Sequence, residues 1–199
     1  MKIYLVRHGQ TDWNITRKIQ GSTDTELNAT GLAQAHELAE KLAADDVHYT
    51  KVFSSPLKRA ATTAQIAAEK LGVPFETVDG LQEMCLGTWE GLQWKQVMEE
   101  RTDEYNVWRT NRRFLRAPEG ESYQDVLERA VPALRKIAAE AEGDVLVVSH
   151  GAAIVTIVSW LRGLQLRDIG DNFSLGNCET MGIDREELEA RWRDPGIRG

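Results

Sequence analysis

Two histidines in this chain occupy the same local setting. His8 follows the β-rich run Lys2–Val6 (KIYLV) and precedes Gly9, and His150 follows the run Asp144–Ser149 (DVLVVS) and precedes Gly151. Either imidazole taken alone is most simply a satisfied core residue. A metal site would need further ligands, yet neither histidine lies in a local His/Cys/Asp/Glu cluster, and the nearest charged partner is Arg7, which repels a cation. A third reading accounts for the arginines. A phosphoryl group in transfer carries charge on its equatorial oxygens and needs several cationic or N–H donors around one point, with a nucleophile in line with the leaving oxygen. Arg7, beside His8, and Arg59, in the first turn of a helix that begins near Leu57, supply planar guanidinium forks that match phosphate oxygens. A neutral imidazole can then attack phosphorus and form a phosphohistidine, splitting one difficult displacement into two.

The surrounding elements explain how such residues can meet. Helical spacing of Leu32, Ala35, Leu38, Ala39 and Leu42 predicts an amphipathic helix over 32–44. Lys51–Ser54 reads as a strand, Ser55-Pro56 as a break, and Leu57–Leu71 as a helix closed by Gly72. Val73–Val78 (VPFETV) has strand composition, with Pro74 directing it to an edge. From Gly80 to Glu121 the strand–helix alternation is lost, and Trp89, Trp94, Tyr105 and Trp108 stand among many charges, which predicts a helical lid insertion at about 84–121. Tyr123–Ala141 returns to a helical pattern that Pro132 should kink or break. Asp144–Ser149 is the most apolar strand pattern, a helix follows to Leu161, and Asn177–Asp184 reads as a last strand; the tail beyond Arg185 is too polar to place. Strands alternating with helices imply an α/β fold with a mostly parallel central sheet covered by helices on both faces. Ligands of such sheets gather beyond the carboxyl ends of the strands, which is where both histidines fall.

Four motifs in order then carry a family resemblance. Leu5-Val6-Arg7-His8-Gly9-Gln10-Thr11 with Trp13-Asn14, Ser54-Ser55-Pro56-Leu57-Lys58-Arg59-Ala60 with Thr63-Ala64, Glu83 ahead of Leu86-Gly87 and Trp89-Glu90-Gly91, and Val148-Ser149-His150-Gly151 resemble the histidine phosphatase superfamily, which includes the phosphoglycerate mutases. RHG alone would be weak; the spaced set from residue 5 to 151 is specific. The resemblance implies that His8 is the phosphorylated nucleophile, that Arg7, Arg59 and His150 hold the phosphate oxygens, and that Asn14 also touches phosphate. It implies that Glu83 protonates the leaving oxygen and then helps to activate water. Gln20 and Gly21 fall in a loop resembling the family's substrate side, and Gly9 and Gly151 are either simple turn glycines or positions where backbone approaches phosphate closely. His150 should be protonated while His8 is free to attack, a difference that only different environments can create. Glu90, near Glu83, competes for the acid role, but the pattern favours Glu83. No metal and no cofactor are implied.

Phosphatase and mutase share the phosphohistidine and differ in what intercepts it. The mutases have Arg and Tyr soon after the acidic residue, where this chain has Glu83-Met84-Cys85-Leu86-Gly87, so the resemblance is closer to the broad-specificity and alpha-ribazole phosphatases with their LG-x-WEG segment. The expected activity is therefore hydrolysis of small phosphate monoesters, with phosphoglycerate mutase or a non-catalytic phosphate-binding module as alternatives. Trp89, Trp94, Tyr105, Trp108 and Phe114 either line the lid or form its own small core, and Arg112, Arg113 and Arg116 either grip a second anion or are solvated.

Bulk properties are consistent with this. The 199 residues suit one domain, with 42% hydrophobic and 28% charged residues. A net charge of −7, from 24 basic and 31 acidic residues, argues against nucleic acid or anionic membrane as a partner and for a small phosphorylated metabolite. The longest apolar run, Ala152–Leu161, is about half the ~20 residues that span a bilayer. Cys85 and Cys178, with no secretory leader, read as reduced thiols of a cytoplasmic protein. His36 and His48 read as surface residues. The oligomeric state is open, a homodimer included.

Overall fold

The computed structural model describes residues 1–165 and 174–193. Five strands, β1 (Lys2–Arg7), β2 (Tyr49–Ser54), β3 (Phe75–Thr77), β4 (Asp144–Ser149) and β5 (Thr180–Asp184), form one sheet in the order β3-β2-β4-β1-β5. All neighbouring pairs are parallel except β1 with β5, which is antiparallel. The expected mostly parallel α/β sheet is therefore present.

β4 sits at the centre because it is apolar on both faces. Val145 and Val147 turn to one side with Ile3, Leu5 and Phe53, and Leu146 and Val148 turn to the other with Val6 and Val52. All four β4 side chains are fully buried, each contributing roughly 1.5–3 kcal/mol. The second side is covered by α2 (Ala29–Ala44) and α3 (Lys58–Leu71), through Leu38, Leu42, Ala60, Ala64 and Ala67. The first is covered by α6 (Tyr123–Glu140) and α7 (Gly151–Leu161), through Val126, Leu134, Ile137, Ile154 and Ile157. A short α1 (Asp12–Ile15) follows β1 and is closed by a Thr11/Asn14 capping box.

Several expectations are adjusted. α2 begins three residues earlier than the apolar spacing shows, because Asn28 caps it by accepting from the amide of Gly31. β3 keeps only three of the six residues expected, as an edge strand that starts after Pro74. The α6 helix runs unbroken through Pro132; this residue is exposed, so the carbonyl freed by its missing N–H lies on the water-facing side. The polar tail forms α8 (Arg185–Arg193), anchored by fully buried Leu188 and by Arg135 lying over the Trp192 ring at 4.4 Å.

The region read as an insertion contains a 3-10 turn, Gly87–Trp89, and two short helices, α4 (Trp94–Glu100) and α5 (Thr102–Thr110). Trp89, Val97 and Trp108 are buried in the same apolar cluster as the first sheet face. Trp108 meets Trp89 edge-on at 5.3 Å and stacks on Trp94 at 5.8 Å, so these aromatics extend the main core instead of forming a small one of their own. Among the described residues, no helix is long and apolar enough to cross a membrane, and both cysteines are free thiols.

Candidate active site

Strand register alone brings the two histidines together. Arg7 of β1 pairs with Ser149 of β4, and the ladder continues one step as His8 N–H donates to the Ser149 carbonyl at 3.0 Å. On the other side of β4, Ser54 pairs with Val148, and Ser55 N–H donates to the Val148 carbonyl at 2.9 Å. His8, His150 and Ser55 therefore leave three adjacent strands at the same edge. The imidazole centroids lie 5.2 Å apart, inclined at 59°.

The tautomer of His8 follows from its partner. Nδ1 lies 2.6 Å from the carbonyl of Gly9, which can only accept, so Nδ1 carries the proton and Nε2 carries the lone pair. Burial, reinforced by the Arg59 guanidinium, pushes the His8 pKa down to about 3, with the Gly9 bond opposing and Arg7 adding to the fall. The ring is thus neutral at physiological pH, with its Nε2 lone pair free. His150 is driven well below the ordinary histidine range by burial, then by Arg59, His8, Arg129 and Arg7. The expectation of a protonated His150 is not met in the unliganded site. Its Nε2 lies 2.8 Å from Ser55 Oγ, which also accepts from Leu57 N–H at 3.3 Å. Where the Ser55 hydroxyl donates to Nε2, the ring proton of His150 lies on Nδ1, which has no partner within the chain. A neutral His150 then still offers an N–H donor.

Arg7 donates through Nη1 to the Leu175 carbonyl at 2.6 Å. Arg59 is fully buried and donates through Nη1 to the Thr23 carbonyl (2.7 Å) and through Nη2 to the Gly21 carbonyl (2.8 Å). Burial lowers the pKa of both guanidiniums, with the Glu83 charge opposing. Six buried side-chain polar atoms among the described residues have no hydrogen-bond partner within the chain, and Arg7 Nε, Arg59 Nε and His150 Nδ1 are three of them. Buried donors without acceptors cost roughly 1–3 kcal/mol each, so three within one site mark a place built for an anion.

Glu83 sits at the amino end of α7. Its Oε1 accepts from Ala153 N–H and Met84 N–H, each at 2.9 Å, and its Oε2 accepts from Ala152 N–H at 3.1 Å. Held by these amides at the helix end, the carboxylate stays at the cavity wall and retains lone pairs for a proton. Glu90 is already committed elsewhere and cannot serve as the acid. It accepts from the amides of Ser22, Thr23 and Leu86 and from the hydroxyls of Ser22 and Thr23, fastening the loop that presents Gly21 to Arg59.

A cavity of ≈ 320 Å³ is lined by Arg7, His8, Asn14, Gln20, Gly21, Arg59, Glu83 and Gly151, all sites named from the sequence. His150 lies just behind it, fully buried. Asn14 Oδ1 is taken by Thr11 N–H, leaving its Nδ2 for an anion. Gln20 Oε1 accepts from the hydroxyls of Thr11 and Thr25, so its carbonyl end braces the loop. The far wall is apolar, with Ile19, Met84, Leu86, Trp94, Tyr123, Val155 and Leu175, and Lys18 adds a further cation to the lining. Of the insertion aromatics, Trp94 reaches this wall, and Trp89, Tyr105, Trp108 and Phe114 do not. Arg112, Arg113 and Arg116 do not line it either: Arg116 forms a two-pronged pair with Asp125, Arg113 donates to Gln124, and Arg112 lies over Trp108.

The two glycines beside the histidines differ. A Cβ on Gly9 would lie 2.5 Å from the Gly31 carbonyl oxygen, and one on Gly31 would lie 2.0 Å from that of Gln10, so these two interlock β1 with α2. A Cβ on Gly151 would meet Arg7 at 3.5 Å, ordinary contact, so nothing inside the chain requires glycine there. Sequence reasoning missed Ser55, although it lies in the quoted SSP motif. It also missed Thr63, which accepts from Gly9 N–H at 3.1 Å, and Asn177, which donates to the His8 carbonyl at 2.8 Å.

A neutral imidazole with a free lone pair, two guanidiniums, a second imidazole and a carboxylate at the carboxyl edge of a mostly parallel sheet define an enzyme that handles phosphoryl groups. Residues 3–195 match the histidine phosphatase superfamily (branch 1), and the chain belongs to that family. It is 40% identical over 164 residues to phosphoglycerate mutase-like protein 4 of Arabidopsis thaliana, covering 81% of this chain and 71% of that one. It is 37% identical over 172 residues to the metal-independent phosphoserine phosphatase of the same plant, covering 85% and 71%. The solved structure of a mycobacterial glucosyl-3-phosphoglycerate phosphatase in complex with VO3 superposes with a TM-score of 0.81 at 30% identity, covering 92% of this chain and 90% of that one. The phosphatase reading is favoured over the mutase reading: the chain is a hydrolase of phosphate monoesters.

Proposed function

We propose that the chain hydrolyses small phosphorylated metabolites through a phosphohistidine on His8, without a metal ion. In the first step His8 Nε2 forms a bond to phosphorus as the bond to the ester oxygen breaks, and Glu83 passes its proton to the departing alkoxide. In the second, water attacks the phosphohistidine, Glu83 takes the water proton, and inorganic phosphate leaves with His8 neutral again. Arg7, Arg59, Asn14 and the Nδ1–H of His150 bind the equatorial oxygens, and the two guanidiniums supply the positive charge that a metal supplies elsewhere. The observation that carries this reading is the set of three buried donors without partners beside the one free nitrogen of His8.

The apolar wall suits the organic alcohol of a monoester. Met84, where the mutases place a cation, contributes apolar surface, which disfavours a second anionic anchor and hence the mutase alternative. The negative net charge and free thiols fit a cytoplasmic enzyme acting on metabolites rather than nucleic acid. The test is release of phosphate from p-nitrophenyl phosphate with and without chelator. Turnover is expected to be unaffected by chelator and abolished by His8→Ala, while vanadate binding by that variant persists. Turnover that survives His8→Ala would overturn the mechanism, and its absence in the parent protein would leave a binding module. Incubation of 3-phosphoglycerate with its bisphosphate primer should yield inorganic phosphate rather than 2-phosphoglycerate.

A further inference from the structure

Arg129, on α6, lies outside the cavity lining, yet it uses three of its donor contacts on the segment that carries Glu83 and the other two on Glu121. Nε donates to Glu121 Oε1 at 2.8 Å. Nη1 donates to the carbonyls of Gly80 (2.9 Å) and Gln82 (2.8 Å), and Nη2 donates to the carbonyl of Glu83 (3.0 Å) and to Glu121 Oε2 (2.9 Å). A guanidinium has five N–H groups, and all five are engaged. Glu121 completes the bracket, since its Oε2 also accepts from Cys85 N–H at 2.9 Å. Between β3 and the turn at Gly87, residues 81–86 lie in no helix or strand. Their backbone has no ladder to hold it, and the Arg129–Glu121 pair replaces one.

We propose that Arg129, held by Glu121, is the positioning residue of the general acid, fixing the backbone of residues 80–85 so that the Glu83 carboxylate faces the leaving oxygen. The inference rests on Glu83 acting as the acid. Both members of the pair are largely buried, with side chains 23% exposed. The planar fork is what reaches three carbonyls and a carboxylate together; a lysine at 129 keeps the charge and loses that geometry. A shift on the order of 1 Å at a catalytic group can cost about a hundredfold in rate.

Two esters of similar size separate positioning from general stability. Phenyl phosphate has a poor leaving group and needs the acid, and p-nitrophenyl phosphate needs it far less. In Arg129→Lys and in Glu121→Gln, kcat/KM for phenyl phosphate should fall about tenfold to a hundredfold, while p-nitrophenyl phosphate and vanadate inhibition change by less than about threefold. In a Glu83→Gln background the same substitutions should have no further effect on the ratio of the two esters. Equal losses on both esters, or an effect that multiplies fully with Glu83→Gln, would overturn the proposal. If Arg129→Lys fails to fold, the Glu121→Gln cycle decides by the same criteria. A Glu83→Gln variant that slows both esters equally would instead remove the acid assignment itself.

Discussion

Acidification from about pH 7 to about pH 5 should weaken this fold by about 2 kcal/mol through His8 alone. In the unfolded chain the imidazole titrates at 6.5, whereas in the folded chain burial and Arg59 hold it near 3. Between those values the unfolded state binds one more proton than the native state, so stability is full above the unfolded pKa and falls as pH drops toward the folded one. Each pH unit inside the window is worth about 1.4 kcal/mol per histidine, and rounding at the upper edge brings two units to about 2 kcal/mol. His150, also displaced downward by its burial, acts in the same direction, and the His8 share alone is a sizeable part of the roughly 5–15 kcal/mol of a typical domain. The assay is urea unfolding at a series of pH values in phosphate-free buffer, comparing the parent with His8→Asn. Asparagine does not titrate and His150 remains in both proteins, so the parent should lose about 2 kcal/mol more than the variant over this range. Parallel stability curves would show that His8 takes up its proton in the native site over the same range as in the unfolded chain, and the account of a desolvated imidazole held neutral would be lost.

Ser55→Ala removes the hydroxyl that meets Nε2 of His150. It should lower kcat/KM about tenfold, less than the roughly hundredfold cost of deleting a whole transition-state donor, and should weaken vanadate inhibition in parallel; unchanged inhibition would reject a tautomer held by Ser55. Gly31→Ala places a Cβ 2.0 Å from the Gln10 carbonyl oxygen and should cost about 1–3 kcal/mol or more in thermal unfolding. Gly151→Ala, which meets only ordinary contacts, should keep its Tm and lose affinity for vanadate; a Tm loss equal to that of Gly31→Ala would refute the distinction.

Most elements were legible because they arise from local rules. β-rich and apolar runs marked β1, β2 and β4. Helical spacing marked α2 and α6, Ser55-Pro56 marked the start of α3, and Gly72 marked a helix stop that the structure completes in the left-handed region. The errors lie at ends and edges, where one partner decides: Asn28 lengthens α2, and the edge position shortens β3. The polar tail hid α8 because its few apolar contacts, such as Leu188, are with distant elements. Among site residues, the histidines, Arg7, Arg59 and Glu83 were legible because their motifs are short and ordered.

The amino-acid sequence determined by itself that two imidazoles end two β-strands at one sheet edge and that guanidiniums stand nearby, since backbone sterics and the alternation of strands with helices allow few other arrangements. Only the tertiary structure decided what each of these groups does. Ser55 meets His150 across 95 positions, Arg7 meets the Leu175 carbonyl across 168, and Arg129 meets the Glu83 carbonyl across 46. Such contacts depend on strand register and helix packing, in which a one-residue slip turns every side chain to the other face. Proton affinity and the placing of Glu83 are set by such distant partners, whereas the His8 tautomer follows from the neighbouring Gly9 carbonyl.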